Sequence, residues 1–240
     1  MAFVLGNASR LFANERAVST TIAGWTASHS RAASEVTTVV EAGTRFVPGL
    51  MSGTLALRGP QDSVGQTLAN EIRDAVGVDN SIIVTVLPYG DVLGAFALTV
   101  LGDPSELSID ASVSDAVGFA FTATADESVD MGFVVHATAA ETVDGNGTAV
   151  DRGVGGGTAN GGVAVIHTTA YSGLTGAIIK IQHSTDNATW NDLVAFTNIT
   201  AISAERKFIA AGTTVSRYVR AVTDVTGTGS VTFLVALAPR

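Results

Sequence analysis

The stretch Asp151–Gly162, DRGVGGGTANGG, has six glycines in twelve residues, with acidic chain before it and neutral-to-basic chain after it. A phosphate-cradling loop of this composition needs a strand before it and a helix after it, so that oriented backbone N–H groups meet the phosphate. Here no lysine follows the glycines. The next segment, GGVAVIHTTAY, alternates apolar residues at Val163 and Val165 as a strand does. Upstream, AAETVDGNGTAVD is rich in turn residues. The stretch therefore reads as a flexible connector between two domains. The expected division is a domain over 1–145, a glycine-rich linker over 146–162 and a second domain over 163–240.

Charge is divided unevenly across this seam. Residues 1–145 hold 6 Arg against 17 Asp and Glu, a net −11; residues 146–240 hold 7 Lys and Arg against 5 acids, a net +2, which together give −9. An acidic surface repels nucleic-acid phosphate and keeps a soluble protein dispersed. Apolar residues make up 46% of the chain and charged ones 15%, enough for a packed core. No cysteine is present, so disulfides and thiolate chemistry are excluded and packing alone must hold the fold. No stretch of about 18 apolar residues offers a membrane span, so no membrane partner is expected. The opening MAFVLGNASRLFANERAV lacks a basic segment before its short apolar patch, which points to folding in a cytosol.

One helix is predicted. In DSVGQTLANEIRDAVG, Val64, Leu68, Ile72 and Val76 fall four residues apart and form one apolar stripe. Ser63 with Gln66 suits a capping box, and Gly77 suits the position just past the helix end. Elsewhere the chain reads as strand: Val18–Trp25, Thr44–Gly59, Ser81–Pro88, Gly94–Gly102, Ser105–Val113, Ala116–Ala125 and Asp130–Ala139. Beyond the seam come Val163–Tyr171, Ala177–His183, Asp192–Phe196, Glu205–Ala210, Ser216–Val222 and Ser230–Ala238. STDNATW is a hairpin turn in which Asp186 and Asn187 tolerate left-handed backbone. Six short strands with frequent turns suggest a second β-sandwich.

Catalytic chemistry is missing. His29, His136, His167 and His183 are too far apart in sequence for a local zinc motif. Asp126, Glu127 and Asp130 lack the glycine and distal glutamate of a calcium loop and read as a solvated turn. No nucleophile elbow or Gly-Lys-Thr loop occurs, and the basic residues are too scattered for a nucleic-acid patch. The chain is expected not to be an enzyme and to need no cofactor or metal.

Three passages in order, AGTRFVPGLMSGTLALRGPQD with the helix after it, IIVTVLPYGDVLGAFALTV, and LSIDASVSDAVGFAFTATADESVDMGFVVHA, resemble the major tail tube protein of long-tailed, siphovirus-like bacteriophages over roughly residues 15–140. KIQHSTDNATWNDLVAF followed by SRYVRAV is similar to discoidin-like jelly rolls, with Trp190, Tyr218 and Arg220 as framework. The resemblance implies a mainly β protein: a tail-tube β-sandwich or barrel domain with one short α-helix, plus a C-terminal β-sandwich accessory domain displayed outside the tube. It implies a structural virion protein, made in the host cytoplasm, that polymerises as stacked hexameric rings around a channel for DNA. Its partners would be further copies of itself, the tape measure, tail terminator and distal tail proteins, and genomic DNA passing without specific binding. A surface glycan is a possible partner of the C-terminal domain. Asp110 is the candidate lumen-facing residue, and Val64, Leu68, Ile72 and Val76 serve packing or an inter-subunit contact. The alternatives are another virion structural protein, such as a capsid decoration or head–tail joining subunit, or a carbohydrate-binding module.

Overall fold

The computed structural model describes residues 8–19, 22–37, 43–60, 63–111 and 117–240. In chain order the elements are β1 (Arg10–Ala13), β2 (Arg16–Ala17), β3 (Gly24–Glu35), β4 (Phe46–Pro60), α1 (Ser63–Ala75), β5 (Ile82–Leu87), β6 (Phe96–Asp110), β7 (Gly118–Ala125) and β8 (Asp130–Glu141). Then follow β9 (Gly145–Asn146), β10 (Val150–Asp151), β11 (Gly156–Gly157), β12 (Gly162–Ser184), β13 (Asn191–Ala195), β14 (Ser203–Ile209), β15 (Thr214–Val215) and β16 (Tyr218–Pro239). The described residues are mainly β with one short α-helix, as the alternating patterns foretell. It forms two compact units, one from Met1–Thr20, Ile83–Thr99 and Asp130–Arg240, the other from Thr21–Ile82 and Val100–Val129.

The first unit is organised by β12 and β16, which pair antiparallel from Gly162↔Pro239 to Ser184↔Tyr218. In the half beginning at Gly162, both faces of this ribbon are buried, as a strand covered on both sides requires. Phe233, Val235 and Leu237 join one core with Ile166, while Leu234 and Ala236 join another with Phe12, Leu87 and Val134. The far half brings Ile179, Ile181, Val219 and Ala221 into the first of these cores. The ribbon must therefore bend back on itself. It does so where the register shifts, between Thr168 and Gly176. A Cβ on Gly229 would stand 1.9 Å from the Ser172 carbonyl oxygen, so only glycine lets the strands pass there. The sheet also curls. His167 of β12 reaches Thr85 of β5 at 2.7 Å, although three strands, β16, β8 and β6, lie between β12 and β5 in the sheet order.

These long strands revise the reading of six short ones. Val163–Tyr171 and Ala177–His183 are one strand, as are Ser216–Val222 and Ser230–Ala238. The intervening glycines make bulges inside a continuing ladder, where the composition suggested turns. The hairpin at Asp186 and Asn187 forms as expected, with Asn187 at φ 58° and the Asp186 carboxylate accepting the Ala188 and Thr189 N–H groups.

The glycine stretch is stitched rather than loose, and the two units do not divide at residues 146–162. Gly145–Asn146 pairs with Val222–Thr223, Val150–Asp151 with Tyr218–Val219, and Gly156–Gly157 with Thr214–Val215. Arg217 grips the Asp151 carboxylate through Nε at 2.7 Å and Nη2 at 2.6 Å. β8, ahead of the seam, pairs with β16 from Val231↔Glu141 to Leu237↔Phe133. Glycine content reported permissive backbone here, and the missing apolar side chains hid the pairing.

In the second unit β3, β4, β7 and the later part of β6 form an antiparallel sheet in that order. Leu55, Leu57, Phe119, Phe121 and Ala123 are buried, and so are Leu68, Ala69 and Ile72 of α1, which packs beside β7. Gly77, at φ 79°, ends the helix in the left-handed conformation. Val76 lies past the helix end and is 44% exposed, so the buried stripe is Leu68 and Ile72 with Ala69; the Val64 side chain lies outside the described residues. β3 replaces the strand expected at Val18–Trp25, because its run of Ser, Thr and Ala carries little apolar signal.

Leu68→Ala should lower stability by about 2–5 kcal/mol in urea unfolding, as truncation of a packed leucine does, whereas Val76→Asp should change it by less than about 0.5 kcal/mol. A protease site placed at Val154–Gly155 and cut should leave a nicked protein whose pieces elute together under native conditions. Release of an independently folded C-terminal fragment would contradict the stitching.

Candidate assembly surface

Strand alternation gives the second unit's sheet two different faces. One carries the buried Leu55, Leu57, Phe119 and Phe121. The other presents cross-strand rows Thr26–Ala56–Thr122–Glu106 and Gly24–Arg58–Ala120–Ser108. Apart from Arg58 and Glu106 its side chains are small, Ala, Ser and Thr, and they line an open groove with Arg58 and Glu106 among its walls. Asp110, at the end of β6, is exposed and lies opposite Gly118. Alternation places it on the same side as Ser108 and Glu106. The sequence singled out Asp110; Glu106 and Arg58 share its face and were not foreseen, because the β6–β7–β4 register was not legible.

The unit concentrates the protein's acidity. Its ranges, 21–82 and 100–129, hold 4 Arg against 12 Asp and Glu, a net −8 out of the chain's −9. The rest is close to neutral, so the charge follows the fold rather than the linear halves of the sequence.

β3 and β4 continue as a long hairpin arm. Every residue of β3 from Ser28 to Glu35 is exposed. The strands are tied by their ladder and by side chains, with the Ser28 and Thr54 hydroxyls 2.7 Å apart, those of Ser30 and Ser52 2.9 Å apart, and Arg31 Nε donating to the Gly49 carbonyl at 2.9 Å. Its outer part displays Val36, Phe46, Val47, Met51 and above all Leu50, which is 89% exposed. Among the described residues β3 pairs with β4 alone, leaving twelve residues of edge backbone open. Free edges and clustered exposed apolar side chains are features that soluble monomers avoid.

The chemistry-bearing side chains elsewhere serve packing. Among the described residues no group of three or more His, Asp or Glu is placed to hold a metal. His29 is exposed on the arm, while His136, His167 and His183 belong to the first unit. His167 is buried beside Phe12; its Nδ1 faces the Asn14 carbonyl at 2.5 Å and its Nε2 the Thr85 hydroxyl at 2.7 Å. Burial pushes its imidazole down to about 4. The His183 Nδ1 accepts the Ser216 N–H, and burial lowers its pKa too. Asp130 is not part of a solvated turn. It is buried and accepts from Arg206 Nη2 at 3.0 Å and Arg240 Nε at 2.6 Å. Trp190 lies under the Arg220 guanidinium at 4.1 Å, and Arg220 donates from Nε and Nη2 to the Gln182 side-chain oxygen, a cross-strand framework.

No protein-family model matches the chain, and no curated protein matches it. Several solved structures align with the chain at low similarity. A chain of the virion of a native gene transfer agent particle aligns over 46% of this chain and 84% of its own, with 10% identity and a TM-score of 0.39. A chain of the sheath–tube complex of an extracellular contractile injection system in its extended state aligns over 55% and 92%, with 17% identity and a TM-score of 0.44. The SPP1 Dit protein, described as a hub of the adsorption apparatus in phages infecting Gram-positive hosts, aligns over 96% and 98%, with 8% identity and a TM-score of 0.38. Scores below 0.5 do not assign a function.

His167 gives these buried contacts a pH signature. The unfolded chain binds a proton at the ordinary histidine value of about 6.5, while the folded chain resists until about 4, so stability falls as pH drops between them. The stability advantage over a His167→Gln variant should shrink by about 2 kcal/mol between about pH 7 and about pH 4.5. A gap that stays constant would contradict the neutral buried imidazole.

Proposed function

We propose that the chain is a structural protein of a bacteriophage tail, and that its work is to assemble with copies of itself. The observation that carries this reading is the β3–β4 arm, a long hairpin with an open edge and exposed Phe46, Leu50 and Met51. A second copy that paired with this edge and covered these side chains would remove both liabilities at once. Repeated head to tail, such a contact closes a ring or extends a filament. In the finer form of the proposal the rings are six-membered and stack into the tail tube, which works in the virion without catalysis and meets the other tail proteins at its ends.

The channel would be lined by the polar face that carries Glu106, Ser108 and Asp110. Most of its side chains are small, and the net −8 of the unit disfavours the phosphate contacts that hold DNA to proteins. DNA would slide past without being bound. A surface glycan on the Trp190 side has no comparable support in the geometry.

The full chain, concentrated stepwise and examined by sedimentation and negative-stain microscopy, should form rings or tubes. Leu50→Glu, at a fully exposed position, should keep the circular dichroism spectrum and raise the concentration needed for assembly at least about tenfold, about 1.4 kcal/mol per contact. Unimpaired assembly of that variant, or a wild-type chain that stays monomeric throughout, would overturn the proposal.

A further inference from the structure

The sheet of the second unit carries its charge unevenly. Alternation puts Arg58 of β4 and Asp103, Glu106 and Asp110 of β6 on the polar face. On that face β7 and residues 24–30 of β3 add only Gly, Ala, Ser and Thr. The cation therefore stands one strand from the β3 end of the sheet, and the carboxylates stand at the other end.

Arg58 leans toward the near end. A Cβ built on Gly24 would stand 2.9 Å from Nε of Arg58 and 3.6 Å from its Nη2, so the guanidinium lies across the glycine, over the edge strand itself. A side chain at position 24 would displace it. Asp103 is engaged, accepting the Asn80 N–H. Among the described residues no hydrogen bond or ion pair holds the side chains of Arg58, Glu106 or Asp110, and all three are exposed. A strand added to β3 would sit about 4.8 Å beyond it, with its facing Cβ within about 5.5 Å of the Gly24 position. A carboxylate on that strand would meet the guanidinium.

We propose that Arg58 is an electrostatic latch at the β3 edge, and that it takes Glu106 and Asp110 of a second copy. The inference rests on the assembly through β3 proposed above and gives that contact a direction. The cationic end of one sheet faces the acidic end of the next, so the contact runs head to tail and leaves the same two ends free for further copies. A two-fold pairing of two β3 edges brings neither Glu106 nor Asp110 to a guanidinium.

Charge reversal in two full-length chains tests this, with assembly followed by sedimentation at about 0.05 M salt, where screening is weak. One chain carries Arg58→Glu; the other carries Glu106→Lys with Asp110→Lys. Each alone should keep the circular dichroism spectrum and need at least about tenfold more protein to assemble, because attraction has become repulsion. An equimolar mixture should assemble at close to the wild-type concentration, since each variant then meets the opposite charge in its neighbour. In about 1 M salt the defect of each variant should shrink to less than about twofold. Arg58→Gln, which only removes the charge, should need about threefold more protein and gives the reading if a reversed chain does not fold. Assembly of Arg58→Glu or Arg58→Gln at the wild-type concentration, or a mixture no better than its components, would overturn the latch and leave assembly through β3 standing. A wild-type chain that stays monomeric would overturn both.

Discussion

The antiparallel ladder between β12 and β16 is the interaction on which the first unit depends. It supplies side chains to both apolar cores, and β8, β9, β10, β13 and β14 each hydrogen-bond to one of its two strands. Two strands of this length cannot stay flat against one core, so the ladder has to bend. Glycine at position 229 permits the close passage, and the register shifts between Thr168 and Gly176 absorb the extra residues.

The second unit is built on the opposite principle. Its helix covers one face of a small sheet, and its hairpin arm runs on beyond any core. Apolar burial stabilises a side chain by roughly 25 cal/mol for each Å² removed from water. Phe46, Leu50 and Met51 forgo that gain in the isolated chain, while β3 forgoes a row of backbone hydrogen bonds. A surface of this kind is best accounted for by a partner that supplies both, and another copy of the same chain can do so repeatedly. Under the proposed function, the acidic character of the unit would suit a channel wall past which a polyanion moves.

The parts of this picture legible in the sequence were those set by local side-chain pattern. Leu68 and Ile72 were found from their spacing, Gly77 from helix-end chemistry, and most strands from alternation. Sites set by pairing were not legible. Seven of the twelve residues of β3 are Ser, Ala or Thr and Trp25 is its one large apolar residue, so little local pattern distinguishes it from a loop. The glycine-rich stretch looked like a linker, since its hydrogen bonds run to residues some 60 positions away, as from Arg152 to Arg217. The burial of Asp130 depends on Arg206 and Arg240, which no spacing rule connects to it. Asp110 was found as an acidic residue on a strand, but its companions Glu106 and Arg58 emerge only from the β6–β7–β4 register.

The central claim is that the open edge of β3 is completed by another copy, and hydrogen exchange at single-residue resolution on assembled and dispersed protein tests it most directly. From Gly24 to Arg31, where the register with β4 is unbroken, every second amide of β3 points away from β4 in the isolated chain. The account requires those outward amides to exchange freely in the dispersed chain and to become protected in the assembled particle. Assembled particles in which they still exchange at the unprotected rate would contradict it.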